Sequence, residues 1–364
     1  MKTLIELNQF YLENPLPINI QEIIKENIGI DLTTHYADFS LKNPILVAPG
    51  QLTVNSSQIQ KIYKAGYSGC VLKSVVGESE NSQCSMTGLR KKEDFIKTFY
   101  EKEDKEGEYP IIHWNGRLDT RNLNEYMQFI KEVNNLNLSN FAIIGSFVCH
   151  LPKYEEDFNE KEWLYTLKKF DDAGYKILEI DFCPYLRQDN YWSTKEDILR
   201  WYRKIPEIIK TYFPKIKIYP KIININFGMD FQIEMAKETI KGGSDGLVIG
   251  NRIYKEEYNS GHGGEELRLT NLQQIKKIKE LFPDIEISAT GGIYSGKHVL
   301  EYLKAGAANV QLLSYIMGKV KKPFIKKGNK FEQVFYKILF DIKDGLIPCM
   351  LKDGYNNIKE VGLS

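Results

Sequence analysis

Eight short apolar segments, alternating with amphipathic stretches, constrain the fold of this chain more than any other feature. The predicted strands span residues 43–50, 69–74, 141–147, 176–182, 217–222, 246–251, 286–290 and 309–314. Runs without polar alternation are typical of parallel strands buried on both faces. The predicted helices span residues 56–65, 163–173, 194–212, 230–241, 270–281, 295–305 and 331–344. Eight such units favour a closed (β/α)8 TIM barrel of the α/β class, and an open doubly wound sheet is the alternative.

The bulk composition is that of an ordinary globular protein. The chain has 364 residues with 42% hydrophobic and 27% charged residues, and its net charge is +1. We predict one domain over residues 1–364, with no nucleic-acid or membrane partner. The N-terminus has no apolar signal-peptide segment, so a cytoplasmic location is expected. The five cysteines form no CxxC pair, which predicts free thiols and no metal site.

Residues 75–139 separate the second and third predicted strands by far more than a normal loop. Long segments on an ordered scaffold are usually functional covers or insertions. This one follows the carboxyl end of a strand, where the active sites of barrels form. We therefore expect an irregular insertion that covers the active-site side.

The strongest local motif runs from Ser288 to Ser314. A strand leads into Gly291-Gly292, a helix follows, and a second strand ends at Ser314. The ends of strands seven and eight commonly bind phosphate in barrels, and glycine lets the backbone approach the anion closely. A tight turn and a helix start without any ligand is the plainer interpretation of the glycine pair. The whole combination is more specific and predicts a phosphate site.

These motifs resemble the dihydroorotate dehydrogenase family and, within the same group, the dihydropyrimidine dehydrogenases. The resemblance covers about residues 31–345 and includes NPILVAPG, VLKS, PK at residues 220–221 and the GGI…SG…AGA…VQ…S pattern. It implies a short hairpin before the first strand, a bound FMN, and hydride exchange at a C–C bond. The residues that it assigns to FMN are Ala48, Gly50, Lys73, Ser74, Lys221, Asn251, Gly263, Gly264, Gly291, Gly292, Leu313 and Ser314.

The resemblance also implies the catalytic groups. Cys183 in IDFCPY aligns with the family's catalytic Cys-Pro, and Lys73 and Lys221 would stabilise the anionic flavin. The chemistry needs a proton acceptor on the substrate face opposite the flavin. A thiolate can serve when its environment lowers its pKa. Without the resemblance, Cys183 would be interpreted as a buried cysteine at a strand end.

The substrate motifs depart from the family pattern. Asparagines that would hold a pyrimidine ring are replaced in the segment 84–89, at Tyr185, and at Ile180 or Asp181. The candidate substrate-binding residues are Ser85, Met86, Gly88, Leu89, Tyr185, Asn251 and Arg252. Arg90 and Arg187 are weaker candidates, and a carboxylate substrate would fit an arginine best. The expected substrate is a small cyclic compound, either dihydroorotate, a dihydropyrimidine or a relative of these.

Two other functions remain open. An enzyme similar to the tRNA-dihydrouridine synthases is disfavoured because only about 50 residues follow strand eight and the net charge is near zero. A non-catalytic FMN-binding barrel would account for the lost asparagines. No GxGxxG dinucleotide motif is present, so the electron partner is unassigned. A homodimer is expected only by analogy with the relatives.

Overall fold

The structure is a computed structural model that describes most of the chain. The described residues are 2–90, 96–103, 107–114, 118–149, 151–152, 154–182, 194–225, 227–250, 252–258, 260–318 and 324–362. They include the strands of a central barrel and the helices around it.

Eight parallel strands form a closed barrel, which confirms the predicted fold. The strands are β1 (Ile45–Val47), β2 (Gly69–Val71), β3 (Ala142–Val148), β4 (Ile177–Ile180), β5 (Lys217–Ile222), β6 (Gly246–Ile249), β7 (Glu286–Thr290) and β8 (Asn309–Leu312). Each strand pairs with the next in sequence, and β8 pairs with β1 to close the ring. A two-residue strand, Val75–Val76, continues β2 along β3. All eight lie within or next to the predicted apolar runs.

The amino end of the barrel is closed by a hairpin of Thr34–Tyr36 and Phe39–Leu41, as the resemblance implied. Tyr36 and Leu41 pack there with inward-facing side chains of the strands. The other buried members of this cluster are Leu46, Val71, Ala142, Ile144, Tyr219 and Val248. A filled amino end leaves the carboxyl ends of the strands as the open end.

Helices surround the barrel and extend it at both chain ends. They are Leu4–Glu13, Ile20–Ile28, Ser56–Lys64, Leu123–Asn134, Glu160–Asp172, Lys195–Tyr212, Met229–Lys241, Glu266–Leu281, Gly296–Lys304, Ser314–Met317, Lys330–Phe340, Leu346–Asp353 and Ile358–Val361. Short 3₁₀ turns occur at Thr87–Arg90, Glu155–Asp157 and Glu256–Tyr258. Among the described residues, no helix is both long enough and apolar enough to cross a membrane.

The stretch 75–139 differs from the irregular insertion that the sequence suggested. Leu123–Asn134 is a regular helix that begins with a capping box between Asn122 and Glu125. Its apolar face, Leu123, Tyr126, Phe129, Ile130 and Val133, is buried. The helical period was therefore present in the sequence and was missed. This helix connects β2 to β3 in the barrel, so the extra segment is shorter than expected.

The remainder of this stretch contributes a hairpin to a second sheet. Ile96–Glu103 pairs with Gly107–Trp114. The second strand also pairs with Ser260–Gly263, which pairs with Ile253–Lys255. The four-stranded antiparallel sheet thus joins the insertion to the segment that follows β6. Tyr294 donates a hydrogen bond to the Pro110 carbonyl (2.7 Å), which ties the sheet to the loop after β7.

Candidate active site

A cavity of about 610 Å³, measured with its open mouth, lies at the carboxyl end of the barrel. The lining residues come from the ends of β1, β5, β7 and β8 and from the segment after β6. They are Ala48, Pro49, Lys221, Arg252, Gly263, Leu267, Thr290, Gly291, Gly292, Ile293, Gln311, Leu312, Leu313 and Ser314. Eight of them were candidate cofactor or substrate residues: Ala48, Lys221, Arg252, Gly263, Gly291, Gly292, Leu313 and Ser314.

The predicted glycine pair forms a bare backbone wall of this cavity. Gly291 and Gly292 have φ of 99° and 63°, a conformation that favours glycine. A Cβ at Gly291 would lie 2.8 Å from the Asn271 side-chain nitrogen, and one at Gly292 would lie 3.0 Å from the Gly264 carbonyl oxygen. The Tyr302 hydroxyl donates to the Gly291 carbonyl (2.7 Å) and so helps to orient the turn. Only glycine fits both positions without movement of a neighbour.

The end of β8 brings Ser314 to the same cavity. Gly50 packs closely against this end of β8, because a Cβ there would lie 2.6 Å from the Leu313 side chain, which would have to move. The Ala48 amide donates to the Leu312 carbonyl (2.9 Å), which holds the ends of β1 and β8 together. The predicted phosphate residues Gly291, Gly292 and Ser314 therefore line one cavity, although the glycines lie in the turn after β7 and Ser314 begins the helix Ser314–Met317.

Lys221 lines the cavity and meets a carboxylate inside the barrel. Its Nζ lies 3.5 Å from Oε2 of Glu179, and the two side chains are 5% and 0% exposed. Glu179 Oε1 accepts hydrogen bonds from the Tyr36 hydroxyl (2.9 Å) and from Gln311 Nε2 (2.5 Å). Burial raises the pKa of Glu179, while the Lys221 ammonium opposes that shift. The result is a buried charge pair next to the cavity.

Three short polar side chains meet where β2, β3 and β4 end. Ser74 Oγ lies 2.7 Å from Ser146 Oγ and donates to Asp181 Oδ2 (3.2 Å). Ile177 and Glu179 of β4 face the barrel interior, so the two-residue period of a strand directs Asp181 inward as well. Ser74 and Ser146 are buried, whereas Asp181 is half-buried. Asp181 therefore lies at the carboxyl end of the barrel, although Ser74, Ser146 and Asp181 are not among the residues that line the cavity.

Lys73 and Gly264 are not among the residues that line the cavity. The Lys73 amide donates to the Thr53 carbonyl (3.3 Å), and its own carbonyl accepts from the Tyr126 hydroxyl (2.9 Å). Gly264 packs against Ile111 of the extra sheet and against Gly292. Gly264 thus lies beside Gly292, whereas these contacts describe only the backbone of Lys73, whose role stays a prediction.

Among the described side chains of the segment 84–90, none is part of the cavity lining. Ser85 donates from its amide and its hydroxyl to the buried Glu162 carboxylate (2.7 and 2.5 Å), and Met86 packs in the core. Arg90 donates to the Val76 carbonyl (2.9 Å) and pairs with the buried Glu78 carboxylate (2.5 Å). A Cβ added at Gly88 would have no described atom within 4 Å. Arg90 therefore has a structural role in this arrangement.

Four candidates fall outside the described residues: Cys183, Tyr185, Arg187 and Asn251. The side chain of Leu89 is also outside the description. Their roles stay predictions from the sequence.

Sequence reasoning missed Glu179 and Gln311. Glu179 had a visible signal, because it is a carboxylate within the apolar run KILEIDF, and buried charges need a partner. The partner itself, Lys221, was visible only as part of the PK motif. Gln311 is the glutamine of VQ in the quoted family pattern, but that pattern gave it no role of its own.

Comparisons with known proteins agree with this geometry. Residues 162–328, which include β4 to β8, match the family described as dihydroorotate dehydrogenase. The chain is 24% identical over 231 residues to the NAD-dependent dihydropyrimidine dehydrogenase subunit PreA of Escherichia coli, covering 57% of this chain and 51% of that protein. It is 24% identical over 295 residues to the dihydroorotate dehydrogenase B (NAD(+)) catalytic subunit of Methanocaldococcus jannaschii, covering 77% and 86%.

A third relative is the dihydroorotate dehydrogenase (quinone) of Nautilia profundicola, 28% identical over 166 residues, or 42% of each chain. The chain spans about half the length of PreA. These matches confirm the family resemblance that the motifs indicated.

Proposed function

We propose that this chain, which is related to the dihydroorotate dehydrogenases, is an FMN-dependent oxidoreductase acting on a C–C bond of a small cyclic substrate. One observation carries the proposal. Gly291, Gly292, Ser314 and Lys221 come from three strand ends and line one cavity at the carboxyl end of the barrel. All four are among the twelve residues that the resemblance assigned to FMN.

The cavity suits a phosphorylated, partly apolar ligand. The glycine pair leaves backbone where any side chain would collide with Asn271 or Gly264. Ser314 offers a hydroxyl from the end of β8. Lys221 and Arg252 bring positive charge to the cavity wall. Apolar side chains, among them Leu267 and Ile293, complete the wall. A phosphate would fit the glycine end, where the backbone and a hydroxyl are exposed, and a ring near Lys221 would fit the apolar wall.

FMN would supply the hydride chemistry when bound. The protein must bind and orient the substrate, and it must move the proton that accompanies the hydride. Cys183 is our candidate for the proton acceptor, since it follows β4 and Asp181 in the chain. Lys221 would hold positive charge beside the ring.

We further infer that Asp181, which follows β4 at the carboxyl end of the barrel but is not among the residues that line the cavity, faces the substrate and favours a neutral one over an anionic one. Its carboxylate accepts hydrogen bonds and donates none, and the Ser74 proton is already directed to it. A ring N–H can satisfy such a group, whereas a substrate carboxylate placed there would meet a like charge. We therefore place a neutral dihydropyrimidine ahead of dihydroorotate.

The first experiment is an absorption spectrum of the purified protein, followed by anaerobic titration with dihydrouracil and with dihydroorotate. We expect a flavin spectrum that dihydrouracil bleaches more readily. Protein that is colourless and takes up no added FMN would refute the proposal. Flavin that no dihydropyrimidine reduces would leave the non-catalytic FMN-binding barrel as the better interpretation.

A further inference from the structure

Glu179 and Lys221 form a buried ion pair, and Lys221 also lines the cavity. Resting on the proposed function, we propose that Glu179 is a positioning residue. It holds the Lys221 ammonium at the cavity and, as its counter-charge, keeps the reduction potential of bound FMN low.

Glu179 is held so that one oxygen is reserved for Lys221. Oε1 accepts from Tyr36 and Gln311, and Gln311 Nε2 also donates to Ser288 Oγ (2.8 Å). Ser288 in turn donates to Asn309 Oδ1 (2.6 Å). Among the described residues, Oε2 has no hydrogen-bond partner, and the Lys221 ammonium is 3.5 Å away. The network fixes the carboxylate, and the free oxygen faces the ammonium.

Burial makes this arrangement electrostatically effective. Neither side chain is more than 5% exposed, so water screens their charges weakly. Reduced FMN carries more negative charge than oxidised FMN. Lys221 at the cavity wall therefore favours the reduced form, and the nearby Glu179 carboxylate opposes that preference. The reduction potential of bound FMN therefore depends on both the Lys221 ammonium and the Glu179 carboxylate.

The test compares the midpoint potential of FMN in the purified holoprotein and in two single variants. Glu179→Gln keeps the side-chain shape and removes the negative charge. We expect it to raise the affinity ratio of reduced to oxidised FMN at least tenfold, which is about 30 mV for a two-electron couple. Lys221→Met should lower the affinity ratio of reduced to oxidised FMN by a similar factor, and so make the midpoint potential more negative. A potential that does not rise in Glu179→Gln would overturn the proposal.

The double variant Glu179→Gln/Lys221→Met leaves no uncompensated buried charge, so it should fold even if a single variant does not. We expect its potential to return towards that of the wild type, because the two losses oppose each other. A double variant as negative as Lys221→Met would refute a role for Glu179.

Glu286→Gln is the matched control. Glu286 is a carboxylate at the amino end of β7, where it accepts from the Ala37 amide (2.9 Å). Its loss should leave the potential unchanged, and an equal shift in this variant would show that the effect is not specific to the pair. Protein that binds no FMN would refute the proposed function itself, whereas bound FMN with an unshifted potential would refute only this inference.

Discussion

Ser74 donates a hydrogen bond from its hydroxyl to Oδ2 of Asp181 over 3.2 Å, and its own oxygen lies 2.7 Å from the hydroxyl of Ser146. Ser74 has one proton, so Ser146 must donate to Ser74 when Ser74 donates to Asp181. Both hydroxyl protons are then used within the cluster. Towards a ligand placed beside it, the cluster would act as a hydrogen-bond acceptor.

That relationship predicts how Asp181→Asn changes ligand preference. The variant keeps the shape and removes the charge, so the affinity for orotate should rise at least tenfold relative to uracil, because like-charge repulsion is lost. Binding of both ligands to the oxidised holoprotein would be followed by the change in flavin absorption. Ser146→Ala is the control, since it removes a hydrogen bond without changing charge. An unchanged orotate-to-uracil ratio in Asp181→Asn would show that the carboxylate does not face the ligand.

Gly291→Ala should weaken FMN binding at least tenfold. The new Cβ would lie 2.8 Å from Asn271 Nδ2, and alanine rarely adopts the φ of 99° found there. Titration of the apoprotein with FMN, followed by fluorescence quenching, measures the effect. Gly174→Ala is the matched control, because Gly174 has φ of 86° and a Cβ added there would meet no described atom within 4 Å. It should cost about 1 kcal/mol of stability and leave FMN affinity intact. Equal FMN affinities in the two variants would contradict the phosphate assignment.

Acid should destabilise the protein partly through His298. Burial, with help from Arg268 and Lys297, lowers the pKa of His298 to about 3, and its Nδ1 accepts from the Tyr294 amide (3.2 Å). The folded state keeps this histidine neutral, whereas the unfolded chain binds a proton below about pH 6.5. Stability is therefore lost as the pH falls from about 6.5 towards 3.

His298→Asn removes this titration, so the loss of unfolding free energy between pH 7 and 4.5 should shrink by about 2 kcal/mol. Urea unfolding at several pH values measures it. His35→Gln should act in the opposite sense, because the Glu286 carboxylate raises the pKa of His35 and that stabilisation is lost as the pH rises. If His298→Asn leaves the pH dependence of the unfolding free energy unchanged, His298 is not a source of the acid destabilisation.

Arg90→Ala should cost about 3 kcal/mol or more of folding stability, because it leaves Glu78 buried without its ion partner. Thermal or urea unfolding would show the loss. Arg203→Ala is the comparison, since Arg203 is half exposed and pairs with Glu207 on the surface (2.8 Å), so its loss should be below about 1 kcal/mol. A stable Arg90→Ala variant that loses substrate affinity would instead restore Arg90 to the list of ligand contacts.

The barrel was predictable because each strand carries its own signal. Strands such as β3 and β6 are buried on both faces, and apolar runs without alternation reveal this directly. The helix Leu123–Asn134 carries an equally regular apolar period. It lies within the long segment between the second and third strands, for which the sequence analysis expected irregular structure. The strands Ile96–Glu103 and Gly107–Trp114 were not readable in this way, since their partner strand Ser260–Gly263 lies far along the chain.

The sequence by itself determined the alternation of strands and helices and the glycine pair at residues 291–292, because burial and backbone conformation restrict which residues occupy each position. Only the tertiary structure decided which polar side chains meet inside the barrel. Ser74 and Asp181 are 107 residues apart, and Glu179 meets Lys221 only because β4 and β5 pair in one register. A shift of that register by one residue would turn these side chains to the opposite face. Contacts between distant residues depend on that pairing, and no local pattern encodes it.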